Sequence, residues 1–316
     1  MASDSFLDVV RRVQLHVPDA PLLLIEDWVR DAYRDFSASH VWSFQRKDAA
    51  LRFRGSRTIS ATFTQYSPTV TSAGLFVPTD AGRQIRVTST PVYTIAAYID
   101  PNTVTLERDY EDTGLTTVST VLDLYPAMPL DFGHFLNVTN PYELRTIPWW
   151  ISTDYLDKID PTRILTGSLL RVLAARKVST VASTLGQYLY EAWPSITTAR
   201  SYPYLYKMNP GTITESTIFN GTLGQYATSV LKAGALLACT RWPGTSDKPN
   251  AYRRDARLRL EVQAEWDHLV QSLWLQDDAA FPMQVEQANF RNQPPYALSF
   301  PTELLRETDA TVSDYL

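Results

Sequence analysis

The sequence predicts an α+β fold in which a helical-bundle body is interrupted by a small antiparallel β-domain and followed by an extended C-terminal tail. Three observations predict it. Apolar residues recur at offsets of three and four near both ends of the chain, which is the spacing of amphipathic helices. Residues 51–126 are rich in threonine, valine and isoleucine and alternate with a period of two, as half-buried strands do. Residues 277–316 are interrupted by prolines and hold seven acidic residues against two arginines.

These observations divide the chain into four segments. The N-terminal helices of the body occupy residues 1–50, and the inserted β-domain follows at 51–126. The body continues over 127–276, with a second small β patch at about 176–215, and the acidic tail occupies 277–316.

Composition is that of an ordinary folded protein and excludes several classes. A chain of 316 residues buries roughly 75% of its unfolded surface, and 44% hydrophobic with 20% charged residues is typical of globular domains. A net charge of −5 gives no general attraction for nucleic acid or anionic membranes. The lone Cys239 excludes an internal disulfide and a cysteine-based zinc site, and its apolar neighbours predict a buried, unreactive thiol.

Neither a secretory signal nor a membrane span is expected. The opening "MASDSFLDVVRR" is polar and charged, and the longest apolar runs are too short to cross a bilayer. We therefore expect synthesis in the cytoplasm and no membrane partner.

Two helices open the chain. Residues 4–16 place apolar side chains on one stripe, with Asp4 or Ser5 as the N-terminal cap. Residues 20–42 place a second apolar stripe on one side and charged side chains on the other. The apolar residues are Phe6, Val9, Val10 and Val13 in the first helix, and Ile25, Trp28, Val29, Ala32 and Phe36 in the second.

The middle of the chain is predicted to change from strands to helices and back. Four or more short strands form the β-domain, and "YIDPNTVTL" predicts a hairpin with its turn at 100–102. Helical signals return in "PLDFGHFLNV" (129–138) and "DYLDKIDPTRI" (154–164). The tyrosine alternation of "YLYEAW" and "YPYLY" predicts strands that face a core on one side.

Two helices close the body. Apolar residues recur at helical offsets over residues 222–239. Gly234 lies in the middle of this helix and predicts a close helix neighbour, because a mid-helix glycine costs about 1 kcal/mol relative to alanine. A long helix follows from about residue 250 to 276, with Leu260 and Trp266 among its apolar residues.

No residue pattern predicts an active site or a cofactor. The four histidines lie far apart, without metal-site spacing. The spacing of Asp154, Asp157 and Asp160 would align carboxylates for a cation, but the segment lacks the glycine turn of a calcium loop. Asp160 precedes a proline and is better placed to end a helix. We predict no catalytic residue, no metal and no cofactor.

A basic cluster precedes and opens the long C-terminal helix. Most of its arginines lie in the first turns, where the helix macrodipole disfavours cations. That position indicates a partner, either phosphate or a carboxylate-rich surface, although a simple solvated face is the alternative. The acidic tail of a neighbouring copy is the partner we favour over DNA. The cluster comprises Arg241, Lys248, Arg253, Arg254, Arg257 and Arg259.

The order of segments resembles one known family, the head-to-tail adaptor (connector) proteins of tailed bacteriophages. "VPDAPLLLIEDWVRDAYRDFSASHVWSF" is similar to their N-terminal helix, and the block from "AGRQIRVTS" to "YPAMPLDF" is similar to the small β-domain of phage neck proteins. "IDPTRILTGS", "YEAWPSITTARSYPYLYKMNPGTIT" and "LKAGALLACTRWP" continue the resemblance in the same order. It spans nearly the whole chain.

The resemblance implies a structural protein of the virion, located at the head–tail junction and made in the host cytoplasm. It implies a homo-oligomeric ring, usually dodecameric, that docks on the portal protein, binds the next tail or nozzle protein, and conducts genomic DNA without sequence-specific binding. No catalytic residues carry over. The residues expected to contact a neighbouring subunit or the portal are Trp28, Arg30, Arg34, Trp42, Arg253, Arg254, Arg257, Arg259, Phe300 and Leu304.

Two other functions stay open at this point. The tyrosine- and tryptophan-rich β segments could form a stacking platform of a carbohydrate- or receptor-binding tail module. "ERDYED" could supply the paired carboxylates of a glycan-degrading enzyme, although such a charge run more often forms a solvated loop. Its carboxylates are Glu107, Asp109, Glu111 and Asp112.

Overall fold

The computed structural model describes residues 4–87, 92–178, 188–219, 223 and 226–281. The chain divides into two compact units. The first, here called the helical unit, contains the described residues of Met1–Lys47 and Lys207–Gln293. The second, here called the β unit, contains the described residues of Asp48–Tyr206 and Pro294–Leu316, all of which lie in the first of these ranges.

Six α-helices and fifteen strands lie within the described residues. The helices are α1 (Phe6–His16), α2 (Leu22–Ser39), α3 (Thr153–Ile159), α4 (Ala227–Cys239), α5 (Ala251–Arg254) and α6 (Ala256–Ala280). The strands are β1 (Arg46–Arg54), β2 (Arg57–Phe63), β3 (Thr69–Ser72), β4 (Gln84–Val87), β5 (Val92–Asp100), β6 (Thr103–Leu106), β7 (Leu115–Leu122), β8 (Phe132–Asn140), β9 (Arg145–Thr146), β10 (Ile151–Ser152), β11 (Thr166–Gly167), β12 (Val172–Val178), β13 (Tyr188–Trp193), β14 (Ser195–Ile196) and β15 (Ala199–Met208).

The predicted fold class, a helical-bundle body with a small β-domain, is wrong. Six strands close a barrel in the order β2-β3-β6-β5-β4-β7. Three further sheets have the orders β1-β15-β8-β9, β10-β12-β13 and β11-β14. Between the barrel and residue 208, which the sequence assigned to the helical body with only a small β patch at about 176–215, the described residues form eight strands and a single α-helix, Thr153–Ile159.

Strand β8 shows why the error arose. "PLDFGHFLNV" has apolar residues at 132, 135, 136 and 138, a spacing that fits a helix as well as a strand. In the structure, Phe132 and Phe135 pack against tyrosines of β15, with ring centroids 5.5 Å from Phe132 to Tyr206 and 5.1 Å from Phe135 to Tyr204. This aromatic packing requires an extended backbone and overrides the local helical pattern.

The barrel is filled by the inward side chains of its strands. In β2, Ile59, Ala61 and Phe63 are buried, and the alternate residues Thr58 and Thr62 are exposed. The period of two predicted for this region is confirmed. The β5–β6 hairpin is also confirmed, since the Asp100 carboxylate accepts a hydrogen bond from the Asn102 backbone N–H (2.7 Å) at the predicted turn.

The helical unit begins with a capping box that confirms the first predicted helix. The Ser5 hydroxyl accepts a hydrogen bond from the Asp8 backbone N–H, and the Asp8 carboxylate accepts one from the Ser5 N–H (3.1 Å). Ser5, not Asp4, is therefore the cap. Asp4 instead accepts a hydrogen bond from the Thr228 N–H (3.0 Å) in the first turn of α4.

Gly234 lies where α4 packs closely against both α2 and α6. A Cβ atom at Gly234 would lie 2.8 Å from the Ala32 Cβ of α2 and 2.9 Å from the Cε3 of Trp266 in α6. Both distances are shorter than a normal carbon–carbon contact. The close helix neighbour predicted from Gly234 is confirmed, and both α2 and α6 are such neighbours.

We predict that Gly234→Ala destabilises the protein. The alanine gains about 1 kcal/mol of helix propensity, but overpacking a tight helix crossing costs about 1–3 kcal/mol, and the Ala32 and Trp266 contacts place this site at the upper end. Urea denaturation followed by circular dichroism measures the change. Gly211→Ala is the control, because nothing lies within 4 Å of a Cβ at Gly211. A Gly234→Ala protein as stable as the parent contradicts the prediction.

Candidate protein interaction surface

The basic cluster predicted from the sequence is exposed on the helical unit. Its members are Arg241, Lys248, Arg253, Arg254, Arg257 and Arg259, here called the basic surface. They follow the end of α4, occupy α5 and enter the first turns of α6.

Two caps position this surface. Asn250 is 5% exposed and donates to the carbonyl oxygens of Cys239 (2.8 Å) and Trp242 (2.9 Å), while it accepts from the Tyr252 N–H (3.0 Å). The Asp255 carboxylate accepts from the Arg257 N–H (2.8 Å) and starts α6. The single helix predicted over 250–276 is therefore broken at Asp255, where the backbone is extended. The expectation that most arginines of the cluster lie in the first turns of one helix is wrong. Arg253 and Arg254 lie in the last turn of α5, and only Arg257 and Arg259 lie in the first turns of α6.

The positive charges of the basic surface are poorly compensated. Lys248 pairs with Asp19 (2.9 Å) and Arg257 pairs with Glu261 (3.0 Å). Both pairs are solvent-exposed, and exposed ion pairs contribute little to the stability of the fold. Within the described residues, Arg254 and Arg259 have no carboxylate partner. Arg259 lies in the first turns of α6, where the macrodipole disfavours a cation.

Helix α6 packs on the unit through a narrow stripe. It is 25 residues long, and its buried residues are Val262, Val270, Leu273 and Asp277. None of residues 256–261 is buried, so the basic N-terminal turns of the helix lie outside the core. At the other end, Asp277 accepts hydrogen bonds from the Ser43 N–H (2.7 Å) and hydroxyl (2.5 Å) and fixes the helix.

Leu260 belongs to this surface and was missed by sequence reasoning. The sequence assigned it to the apolar set of the long helix, yet 71% of the side chain is exposed. Its angular position could have revealed this, because it lies about 160° around the helix from Val262. An exposed leucine between Arg259 and Glu261 gives the basic surface an apolar component.

The predicted contact residues of α2 and its flank lie elsewhere. Trp42 is fully buried, stacks on Phe36 with centroids 4.2 Å apart and donates from Nε1 to the Phe36 carbonyl (2.8 Å). Trp28 is 6% exposed and packs 5.9 Å from the Trp242 ring. Both tryptophans therefore belong to the core of the helical unit. Phe300 and Leu304 lie outside the described residues.

The two α2 arginines are paired within their own helix. Arg30 pairs with Glu26 (3.0 Å) and Asp27 (2.8 Å), and Arg34 pairs with Asp31 (3.1 Å). These pairs at i,i+3 and i,i+4 support the helix by a few tenths of a kcal/mol each. Of these two sets, only the basic surface contains arginines without a carboxylate partner among the described residues.

Asp157 and Asp160, considered above as part of a cation site, instead bind other groups of the protein. Asp157 accepts hydrogen bonds from Arg163 and from Arg176 (3.2 Å). Asp160 is the C-terminal cap of α3 and accepts from the Ile164 N–H (3.0 Å). The prediction that Asp160 ends a helix is confirmed. No group of three or more His, Cys, Asp or Glu side chains in the described parts of the chain has the arrangement of a metal site.

The other chemically suggestive groups are spread over the molecule. Cys239 is fully buried as predicted, and burial raises the pKa of its thiol to about 11. The carboxylates weighed for glycoside hydrolysis are exposed in the loop after β6. Within the tyrosine-rich β segments considered as a stacking platform, Tyr190, Tyr204 and Tyr206 are buried against Phe132 and Phe135 in the β unit.

Comparison with known proteins gives no family. No known protein family and no curated protein matches this sequence. None of the helices in the described ranges is both long enough and apolar enough to cross a membrane.

We predict that Arg259→Glu stabilises the isolated protein by about 0.3–1 kcal/mol, because an acidic side chain in the first turns of α6 interacts favourably with the macrodipole. Thermal unfolding at low salt measures the change. Arg12→Glu is the matched control, since it makes the same charge change at an exposed position in the C-terminal half of α1, where the dipole acts in the opposite sense. If the Arg259→Glu protein is no more stable than the Arg12→Glu protein, the claim that the α6 macrodipole disfavours Arg259 is contradicted.

Proposed function

We propose that this protein is a structural component of a tailed bacteriophage, a head-to-tail adaptor that forms a ring between portal and tail. The resemblance in the order of its sequence segments to phage adaptor proteins supports the proposal. The observation that carries the proposal is the basic surface, a group of exposed and poorly compensated basic side chains between the end of α4 and the first turns of α6.

The basic surface has the chemistry of a protein interface. Arginine is enriched at such interfaces because its planar guanidinium binds carboxylates through two parallel hydrogen bonds. Arg254 and Arg259 have no such carboxylate in the described parts of the chain. The exposed Leu260, next to Arg259 in sequence, adds apolar area to the surface. A closed ring requires two different faces of one subunit to meet. We propose that the basic surface is one of these faces or the portal contact.

The net negative charge of the chain supports a ring that surrounds DNA without binding it tightly. The net charge is −5, so a ring of about twelve copies carries on the order of −60. An acidic lumen repels phosphates and lets DNA slide. In this proposal the basic surface faces protein and does not line the lumen.

The two alternative functions draw less support from the geometry. A carbohydrate-binding module needs aromatic rings exposed in a groove, whereas Tyr190, Tyr204 and Tyr206 are interior. A retaining or inverting glycosidase needs two carboxylates held at a fixed separation. Glu111 instead lies 3.8 Å from Arg108 in an exposed ion pair.

The proposal is tested by the mass of the protein alone and beside its portal. We expect mass photometry to detect rings of many copies when a purified portal ring is added. The charge-reversed variant Arg254→Glu/Arg259→Glu should lose assembly, because two like-charge contacts at an interface each cost several kcal/mol.

The matched control is Arg11→Glu/Arg12→Glu, which makes the same charge change on exposed residues of α1. It should assemble as the parent does. A parent protein that stays monomeric beside the portal overturns the adaptor proposal. Normal assembly of the Arg254→Glu/Arg259→Glu variant overturns only the role of the basic surface.

A further inference from the structure

We propose that two copies of this chain pair through the outer face of α6, with the two helices antiparallel. The partner is therefore a second copy, which presents the same face. The inference goes beyond the adaptor role and concerns the protein before it meets any other component. The face, here called the outer stripe, comprises Arg257, Leu260, Asp267, His268, Leu275 and Asp278.

The outer stripe lies on the side of α6 away from the core. Successive residues of an α-helix are about 100° apart, so the six side chains fall within about 50° of one line along the helix. The buried Val262 and Leu273 lie about 170° from that line. All six residues of the stripe are exposed. The described residues of the helical unit therefore leave this face of α6 to solvent.

Two leucines give the outer stripe its apolar area. Leu260 is 71% exposed and Leu275 is 56% exposed. Fifteen residues separate them along the helix, a distance of about 22 Å. A second helix that lies along the stripe covers both leucines at once and so removes their apolar surface from water.

The charges at the two ends of the stripe select the partner and its direction. Arg257 lies in the first turn of α6 and Asp278 lies in the last. Among the described residues, Asp278 has no basic partner, and the ion-pair partner of Arg257 is the exposed Glu261 (3.0 Å), which leaves further guanidinium N–H groups able to donate. A parallel second copy would place like charges together at both ends. An antiparallel copy instead places each arginine beside an aspartate, and opposite charges across an interface fix its register.

The spacing of the stripe fits a two-fold axis between residues 267 and 268. Arg257 and Asp278 are each ten residues from the nearer of these two, and Leu260 and Leu275 are each seven. Each arginine of one copy therefore faces the second copy's Asp278, and each Leu260 faces the second copy's Leu275. Because the pair is isologous, every such contact is made twice.

The two residues at the axis also complement each other. His268 of each copy lies beside the second copy's Asp267, and an imidazole N–H can donate to a carboxylate. Asp267 accepts a hydrogen bond from the Gln263 side chain through Oδ1 (2.9 Å), so its second oxygen is still an acceptor. One register thus brings together opposite charges at the ends, leucines next to them and a donor–acceptor pair at the centre.

Sedimentation velocity over a dilution series of the full-length protein, without portal, tests the pair. A contact along one helix is at the low end of interface sizes, so we expect a dimer with a dissociation constant on the order of 10 µM. Arg257→Glu and Asp278→Arg should each raise this constant about tenfold or more, because each places like charges at both ends of the pair. Arg259→Glu is the matched control and should leave the constant unchanged, since it makes the same charge change about 130° away from the stripe.

An equimolar mixture of the Arg257→Glu and Asp278→Arg proteins tests the register. The mixed pair again places opposite charges at both ends, so the mixture should dimerise as tightly as the parent, whereas neither variant does so alone. A parent protein that stays monomeric at about 100 µM, ten times the expected constant, overturns the proposal. A mixture that dimerises no better than its two components also overturns it.

Disulfide trapping tests the direction of the helices. Ala264 and Gln271 are each three residues from the axis, so Ala264→Cys/Gln271→Cys should form a covalent dimer under mild oxidation. Ala264→Cys alone should not, because its two copies lie about 10 Å apart along the helices and a disulfide joins Cα atoms no more than about 7 Å apart. The native Cys239 does not interfere, because it is fully buried. Equal trapping of the two variants overturns the antiparallel pair. The adaptor role is tested separately, by the portal-binding measurement.

Discussion

The close approach of three helices at Gly234 is the constraint on which the helical unit depends. A hydrogen atom in place of a side chain lets α4 contact Ala32 of α2 and the Trp266 ring of α6 at once. This junction fixes the side of α6 that faces the core, from Val262 to Leu273. The rest of α6 is thereby left to solvent, and its first turns extend beyond the core with their arginines exposed. Packing at Gly234 is therefore one of the contacts that orient α6 and leave the basic surface exposed.

The basic surface is unfavourable for the isolated fold and suited to binding. Arg257 and Arg259 at the start of α6 oppose the macrodipole, and exposed pairs such as Lys248–Asp19 recover little of that energy. The stability that α6 gains from Trp266, Val270 and the Asp277–Ser43 hydrogen bonds lets the chain tolerate this cost. We propose that a protein partner offsets this cost on assembly.

Parts of this structure are predictable from sequence because their signals are local. The stripes of α1 and α2, the turn at Asp100 and the close packing at Gly234 each follow from residues within a few turns of one another. The fold class does not, because β8 has helical spacing and becomes a strand only through tyrosines some 70 residues away. Trp42 was predicted as a contact residue and is buried, because the sequence does not distinguish a tryptophan of the core from one at an interface. The break at Asp255 is likewise decided by a cap inside an otherwise helical pattern.

A cryo-electron microscopy reconstruction of the protein bound to its portal ring tests the central claim most directly. The account predicts a closed ring of identical subunits in which Arg254 and Arg259 contact protein carboxylates and the lumen is lined mainly by acidic and neutral side chains. A reconstruction in which these arginines line the lumen and face DNA would contradict it. So would isolated copies attached to the portal without lateral contacts.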